Sequence, residues 1–126
     1  MRLFAATLVL LFACGLPACG QSSDDVDRCF KTSDPDQRLP YCTAAIESGK
    51  LSTAVLARTL TYRGIAYARK GNYDRAIQDF DQAIRLEPSY AFAYLGRGMA
   101  KRKSGDTAGG DADIAQAKQL DPKLGQ

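Results

Sequence analysis

Set against itself at an offset of 34 residues, the chain aligns Leu60 with Tyr94, Arg63-Gly64 with Arg97-Gly98, Gly71 with Gly105, Phe80 with Ile114, Ala83 with Ala117, Leu86 with Leu120 and Pro88 with Pro122. A fixed period of this length marks an array of supersecondary units, none of which can bury its apolar face alone. The units must therefore stack, and the residue types say how. Gly64, Ala76 and Ala83 are small where two antiparallel helices cross closely, while Leu60, Tyr67 and Phe80 fill the space beside them. Gly71 suits a left-handed helix end, Asn72 suits the cap of the helix that follows, and Pro88 closes one hairpin and opens the next.

The first copy, read as Leu60, Gly64, Tyr67, Gly71, Tyr73, Ala76, Phe80, Ala83, Leu86 and Pro88, resembles the tetratricopeptide repeat almost position for position. The second departs from it, with Lys101, Thr107 and Gly110 in place of Tyr67, Tyr73 and Ala76. The resemblance implies an all-α fold, a short solenoid of three stacked antiparallel hairpins. Repeat 1 is expected over 57–90, repeat 2 over 91–124 and a degenerate hairpin over 24–50, with helices near 24–32, 36–48, 53–70, 73–86, 89–104 and 107–120. The Gly109-Gly110 pair predicts a last helix that frays. Arg63 and Asp79 recur as Arg97 and Asp113, which predicts one half-exposed ion pair across each helix pair.

Ahead of these copies, Cys42-Thr43-Ala44-Ala45-Ile46-Glu47 matches Phe80-Asp81-Gln82-Ala83-Ile84-Arg85 at an offset of 38, and Cys29 takes the place of Tyr67. In the repeat register Cys29 and Cys42 face each other, so a disulfide is expected in an exported chain. A redox-active thiol pair is the alternative. Twelve residues intervene, far from the Cys-x-x-Cys spacing that tunes thiolates.

The N-terminal apolar run from Leu3 to Ala13 is too short to span a bilayer and reads as the core of a signal peptide over 1–18. The following Leu16-Pro17-Ala18-Cys19 resembles the lipobox of bacterial lipoproteins, which implies cleavage before Cys19 and lipidation of that residue. Pro17 is unusual there, Leu11-Phe12-Ala13-Cys14 is a second and poorer match, and cleavage by an ordinary signal peptidase stays open. Residues 19–23 then serve as a polar tether. The expected location is the periplasmic side of a bacterial envelope, as a lipid-anchored or a soluble protein.

Histidine is absent, which removes the commonest general base and the commonest metal ligand together. No catalytic residue, metal or cofactor is expected. A net charge of +3, about +2 once Arg2 is lost with the signal segment, gives no reason to expect nucleic acid. The resemblance instead implies a protein or peptide partner on the concave face lined by the first helix of each repeat. That face would carry Arg58, Thr61, Tyr62, Ile65 and Arg69 from repeat 1, and Phe92, Leu95, Met99, Arg102 and Lys103 from repeat 2. Phe92, Leu95 and Met99 follow a three-and-four spacing that would expose an apolar stripe. Arg69, Lys70, Lys101, Arg102 and Lys103 form a basic group explained by complementing helix C-termini. Two further functions remain open: a self-associating structural envelope lipoprotein without a peptide groove and, well behind, a thiol redox enzyme using Cys29 and Cys42.

Overall fold

The computed structural model describes residues 21–124 and 126, so the expected signal segment and Cys19 lie outside the described residues. Every regular element among the described residues is a helix: α1 (Gln21–Lys31), α2 (Pro35–Glu47), α3 (Thr53–Arg69), α4 (Tyr73–Leu86), α5 (Ala91–Ser104) and α6 (Thr107–Leu120). Short connections pair them as three antiparallel hairpins. Helix α1 takes in Gln21, Ser22 and Ser23 of the stretch read as a tether, and carries Asp24 near its N-terminal end, where a carboxylate complements the helix dipole.

Local chemistry sets the helix ends. Asp34 accepts from the Gln37 N–H at 3.0 Å with Pro35 opening α2, Ser52 accepts from Val55 ahead of α3, and Asp106 accepts from Gly109 at 2.9 Å ahead of α6. Asn72 holds the corresponding position before α4, but its side chain makes no capping bond. Its backbone N–H donates instead to the Tyr67 carbonyl at 2.9 Å, which ties the turn to the end of α3. Gly71 and Gly105 end α3 and α5 with φ of +77° and +105°, a conformation that other residues adopt only with strain.

Helix α1 touches α3, and α3 touches α5, whereas α2, α4 and α6 meet only their sequence neighbours. The odd-numbered helices therefore form an inner layer, and the even-numbered ones fan out behind it. The core between the layers is built largely from alanine, with Leu60 and Phe80 its largest fully buried apolar side chains. Cys29 and Cys42, both fully buried, are joined by a disulfide that ties α1 to α2.

The second repeat closes more tightly than the first. A methyl group added at Gly64 would meet the Phe80 ring at 2.9 Å and the Ala76 carbonyl at 3.2 Å. At the equivalent Gly98 it would meet the Gly110 carbonyl at 2.7 Å and Ile114 Cγ1 at 2.8 Å. Glycine for alanine at 110 and isoleucine for phenylalanine at 114 thus let α6 settle closer to α5. Gly110 is part of that contact, Gly109 lies against the Asp106 side chain that caps α6, and α6 is helical from Thr107 to Leu120.

The ion pairs form a ladder through the stack. Arg63 grips Asp79 with two bonds of 2.8 Å, and Arg97 grips Asp113 at 2.8 and 2.7 Å. The aspartates are 8% and 10% exposed, deeper than the half-exposed pairs expected, because the small residues around them bring the helices close. Each arginine also reaches the outer helix of the preceding hairpin: Arg97 Nη1 bonds Asp81 at 2.8 Å and Arg63 Nη1 bonds Thr43 at 3.4 Å. Lys101, where Tyr67 stands in repeat 1, approaches Asp113 to 2.9 Å. Burial alone would raise the Asp113 carboxyl, but hydrogen bonds from Arg97 and Lys101 outweigh it and hold the group below its ordinary value.

Candidate partner-binding face

The inner layer presents an apolar cleft of about 300 Å³ between α3 and α5. Its floor is the fully buried Phe80 ring, reached because Gly96 has no side chain above it: a methyl group there would stand 2.6 Å from Phe80. Ile65, Tyr73 and Met99 line its sides, with Met99 56% exposed, and Arg69 and Lys103 supply its cations. A second depression at the other end of α5 is lined by Tyr62, Tyr90, Phe92, Leu120 and Leu124.

The residues expected on this face have separate fates. Met99 and Arg69 come together at the cleft, while Phe92, 38% exposed, belongs to the second depression and lies 6.5 Å from the Tyr90 ring. Leu95 is half-buried between Phe92 and Met99 and lines neither depression. Tyr62 packs on Phe30 of α1 with ring centroids 4.8 Å apart, and the Arg58 guanidinium covers the other end of that contact, 4.9 Å from the Phe30 ring. Burial raises the Tyr90 phenol, and Arg58 beside it opposes the shift. Arg102 is directed at α6, where Nε stands 3.5 Å from Asp111 and a methylene lies over Gly110. Thr61 is fully buried and spends its hydroxyl on the Ala57 carbonyl at 2.9 Å, so it offers nothing to a ligand.

Sequence reasoning missed Gly96, Phe80 and Tyr73 as parts of the cleft. The signal for Gly96 was in the self-alignment, where it replaces Tyr62 and so removes a large side chain from the inner face of repeat 2. The basic group also divides. Lys70 pairs with Asp36, Lys101 with Asp113 and Arg102 with Asp111, while Arg69 donates to the Ser33 carbonyl at 2.9 Å. Among the described residues no group of three or more cysteine or carboxylate side chains is arranged to hold a metal, and no helix is long and apolar enough to cross a membrane.

The tetratricopeptide repeat family model matches residues 57–90, the segment that builds α3, α4 and the turn into α5. The chain carries a tetratricopeptide repeat. The human protein named tetratricopeptide repeat protein 36 is 38% identical over 64 residues, covering 51% of this chain and 34% of that protein, and the zebrafish protein is 38% identical over 63 residues. The chain thus spans about a third of the length of these curated relatives. The fold resembles the second tetratricopeptide repeat domain of Spaghetti (RPAP3), solved bound to the HSP90 peptide SRMEEVD, with a TM-score of 0.70, 27% identity, and coverage of 80% of this chain and 93% of that one. The first such domain of human RPAP3 superposes with a TM-score of 0.67 at 23% identity, covering 82% of this chain and 78% of that one, a likeness of fold alone. The tetratricopeptide repeat solenoid is therefore the architecture here, with its inner helices forming the face described above.

Proposed function

We propose that this protein is a non-catalytic adaptor that holds a peptide or protein segment on the inner face of its repeats. The observation that carries this reading is the apolar cleft between α3 and α5, opened by Gly96 and bordered by the exposed Met99. Exposed apolar surface beside a concavity is the common form of a recognition site. The likeness to a domain bound to the HSP90 peptide SRMEEVD supports a peptide as the class of partner. The same reading assigns the protein to a bacterial envelope, exported by residues 1–18 and then either anchored through a lipidated Cys19 or released into the periplasm. What supports that location is the buried Cys29–Cys42 bond, since structural disulfides persist in oxidising compartments.

A second reading, self-association, is favoured by exposed Phe92 and Leu120 around the depression they share. A photo-crosslinking residue placed at Phe92, Leu95 or Met99, with Gln82 on the outer helix α4 as control, separates the two in native envelopes. Crosslinks to another protein from the α5 positions and none from Gln82 support the adaptor. Crosslinks only between copies support self-association, and equal labelling from Gln82 removes the case for the inner face.

A further inference from the structure

At one edge of the stack the odd-numbered helices all begin and the even-numbered ones all end. Shallow depressions run along that edge, from Ser22 and Leu51, past Arg58 and Glu87, to Phe92, Leu120 and Leu124. Of the large apolar side chains left exposed among the described residues, Phe92, Leu120 and Met99, the first two belong to this edge. Tyr90 and Leu124 stand half-buried beside them. Cations such as Lys50, Arg58 and Lys123 are offset along the same edge by Glu47, Glu87 and Asp121, so neither sign of charge dominates it. Where the chain enters decides what the edge meets. Helix α1 begins at Gln21, two residues beyond Cys19. Two residues reach at most about 7 Å, and the headgroup layer of a bilayer leaflet is about 5–7 Å deep. An acyl anchor on Cys19 would therefore hold the first turn of α1 against the headgroups, with no slack for the folded body to stand off.

We propose that this edge is a membrane-contacting surface, on which Phe92, Leu120 and Leu124 enter the interfacial layer of the bilayer that holds the Cys19 anchor. The proposal rests on the lipid-anchored form of the function proposed above and adds the orientation of the body. The anchor keeps the edge beside lipid at high local concentration, so modest apolar insertion suffices. Because the charges along the edge balance, the contact is apolar and needs no anionic lipid. It also sets where the cleft points. Lys103 lies eleven residues along α5 from Phe92, about 16 Å further from the bilayer, so the cleft is held clear of the headgroups.

The chain contains no tryptophan, so a single introduced one reports its own surroundings. The full chain, processed in cells and purified in its acylated form, is reconstituted into vesicles of phosphatidylcholine with brominated acyl chains. It carries Phe92→Trp, Leu124→Trp or, at the opposite end of α5, Ser104→Trp. The expected result is a loss of emission relative to unbrominated vesicles, with a blue shift, at positions 92 and 124, while position 104 is unquenched by bromine and open to acrylamide. Acylated protein in which all three positions are equally open to acrylamide overturns the proposal and leaves the anchored reading standing. Positions 92 and 124 shielded from acrylamide yet untouched by bromine give the edge to a second copy and also overturn it. Processed protein with no acyl mass on Cys19 overturns the anchor and the proposal together and leaves the cleft unaffected.

Discussion

Gly98→Ala sets two effects of known sign against each other. In a helix interior alanine is favoured over glycine by about 1 kcal/mol, so propensity alone predicts a more stable protein. The structure predicts the reverse. The added methyl would stand 2.7 Å from the Gly110 carbonyl oxygen and 2.8 Å from Ile114 Cγ1. The first of these is backbone and cannot rotate away, so α6 must move off α5. Overpacking of this kind costs about 1–3 kcal/mol, and a contact with backbone belongs toward the upper end. Separating the helices also lengthens the bonds that Arg97 and Lys101 make to Asp113. The net expectation is a loss of about 2 kcal/mol, or a fall of about 8–16 °C in Tm for a domain of this size. Circular dichroism melts at neutral pH, with hydrogen exchange to locate the loss in α5 and α6, provide the assay. A Tm equal to or above that of the parent would show that the glycine crossing is not a tight contact and would refute the reasoning.

Other perturbations follow from the same geometry. Because the Asp113 carboxyl is held below its ordinary value in the folded chain, its contribution is complete above the unfolded value near 3.9 and is lost as pH falls toward the lower folded value. The stability gap between the parent and Asp113→Asn should therefore narrow below about pH 4 in denaturant titrations, and a gap that widens on acidification would reverse the sign. Thr43→Asp should convert the 3.4 Å contact with Arg63 into an ion pair like that of Arg97 with Asp81, raising stability by up to about 1 kcal/mol in low salt and less in 1 M salt, as read by chemical denaturation. Replacing Cys29 and Cys42 together by serine should cost about 3 kcal/mol, measured against the oxidised parent, because the bond closes a short loop in the unfolded chain.

The period of 34 carried most of the architecture, since Gly64, Ala76, Phe80 and their partners each have a packing reason that survives translation along the chain. The face was less legible. Its position follows from the repeat register, but whether a residue there is available depends on neighbours that the register does not name. Tyr62 is engaged by Phe30 and Arg38 from the first hairpin, Thr61 is turned into the core, and Arg102 is drawn to Asp111 and Gly110. The cleft itself arises from a missing side chain, Gly96 in place of Tyr62, and a pattern search built on what residues contribute passes over what their absence opens. Gly110 carries two readings. As a propensity it reads as a weak point, and as a crossing it is the place where two backbones meet.

Where a bound segment lies decides whether the inner cleft is the working surface. A peptide selected on the full chain should be titrated into nitrogen-15-labelled protein and the amide shifts followed. Concentration-dependent changes centred on Ile65, Arg69, Gly96, Met99 and Lys103, with the exposed positions of α4 and α6 unmoved, are the predicted result. Changes centred on the outer helices, or a peptide that binds equally well to Met99→Asp, would contradict the claim that the inner cleft is the working surface.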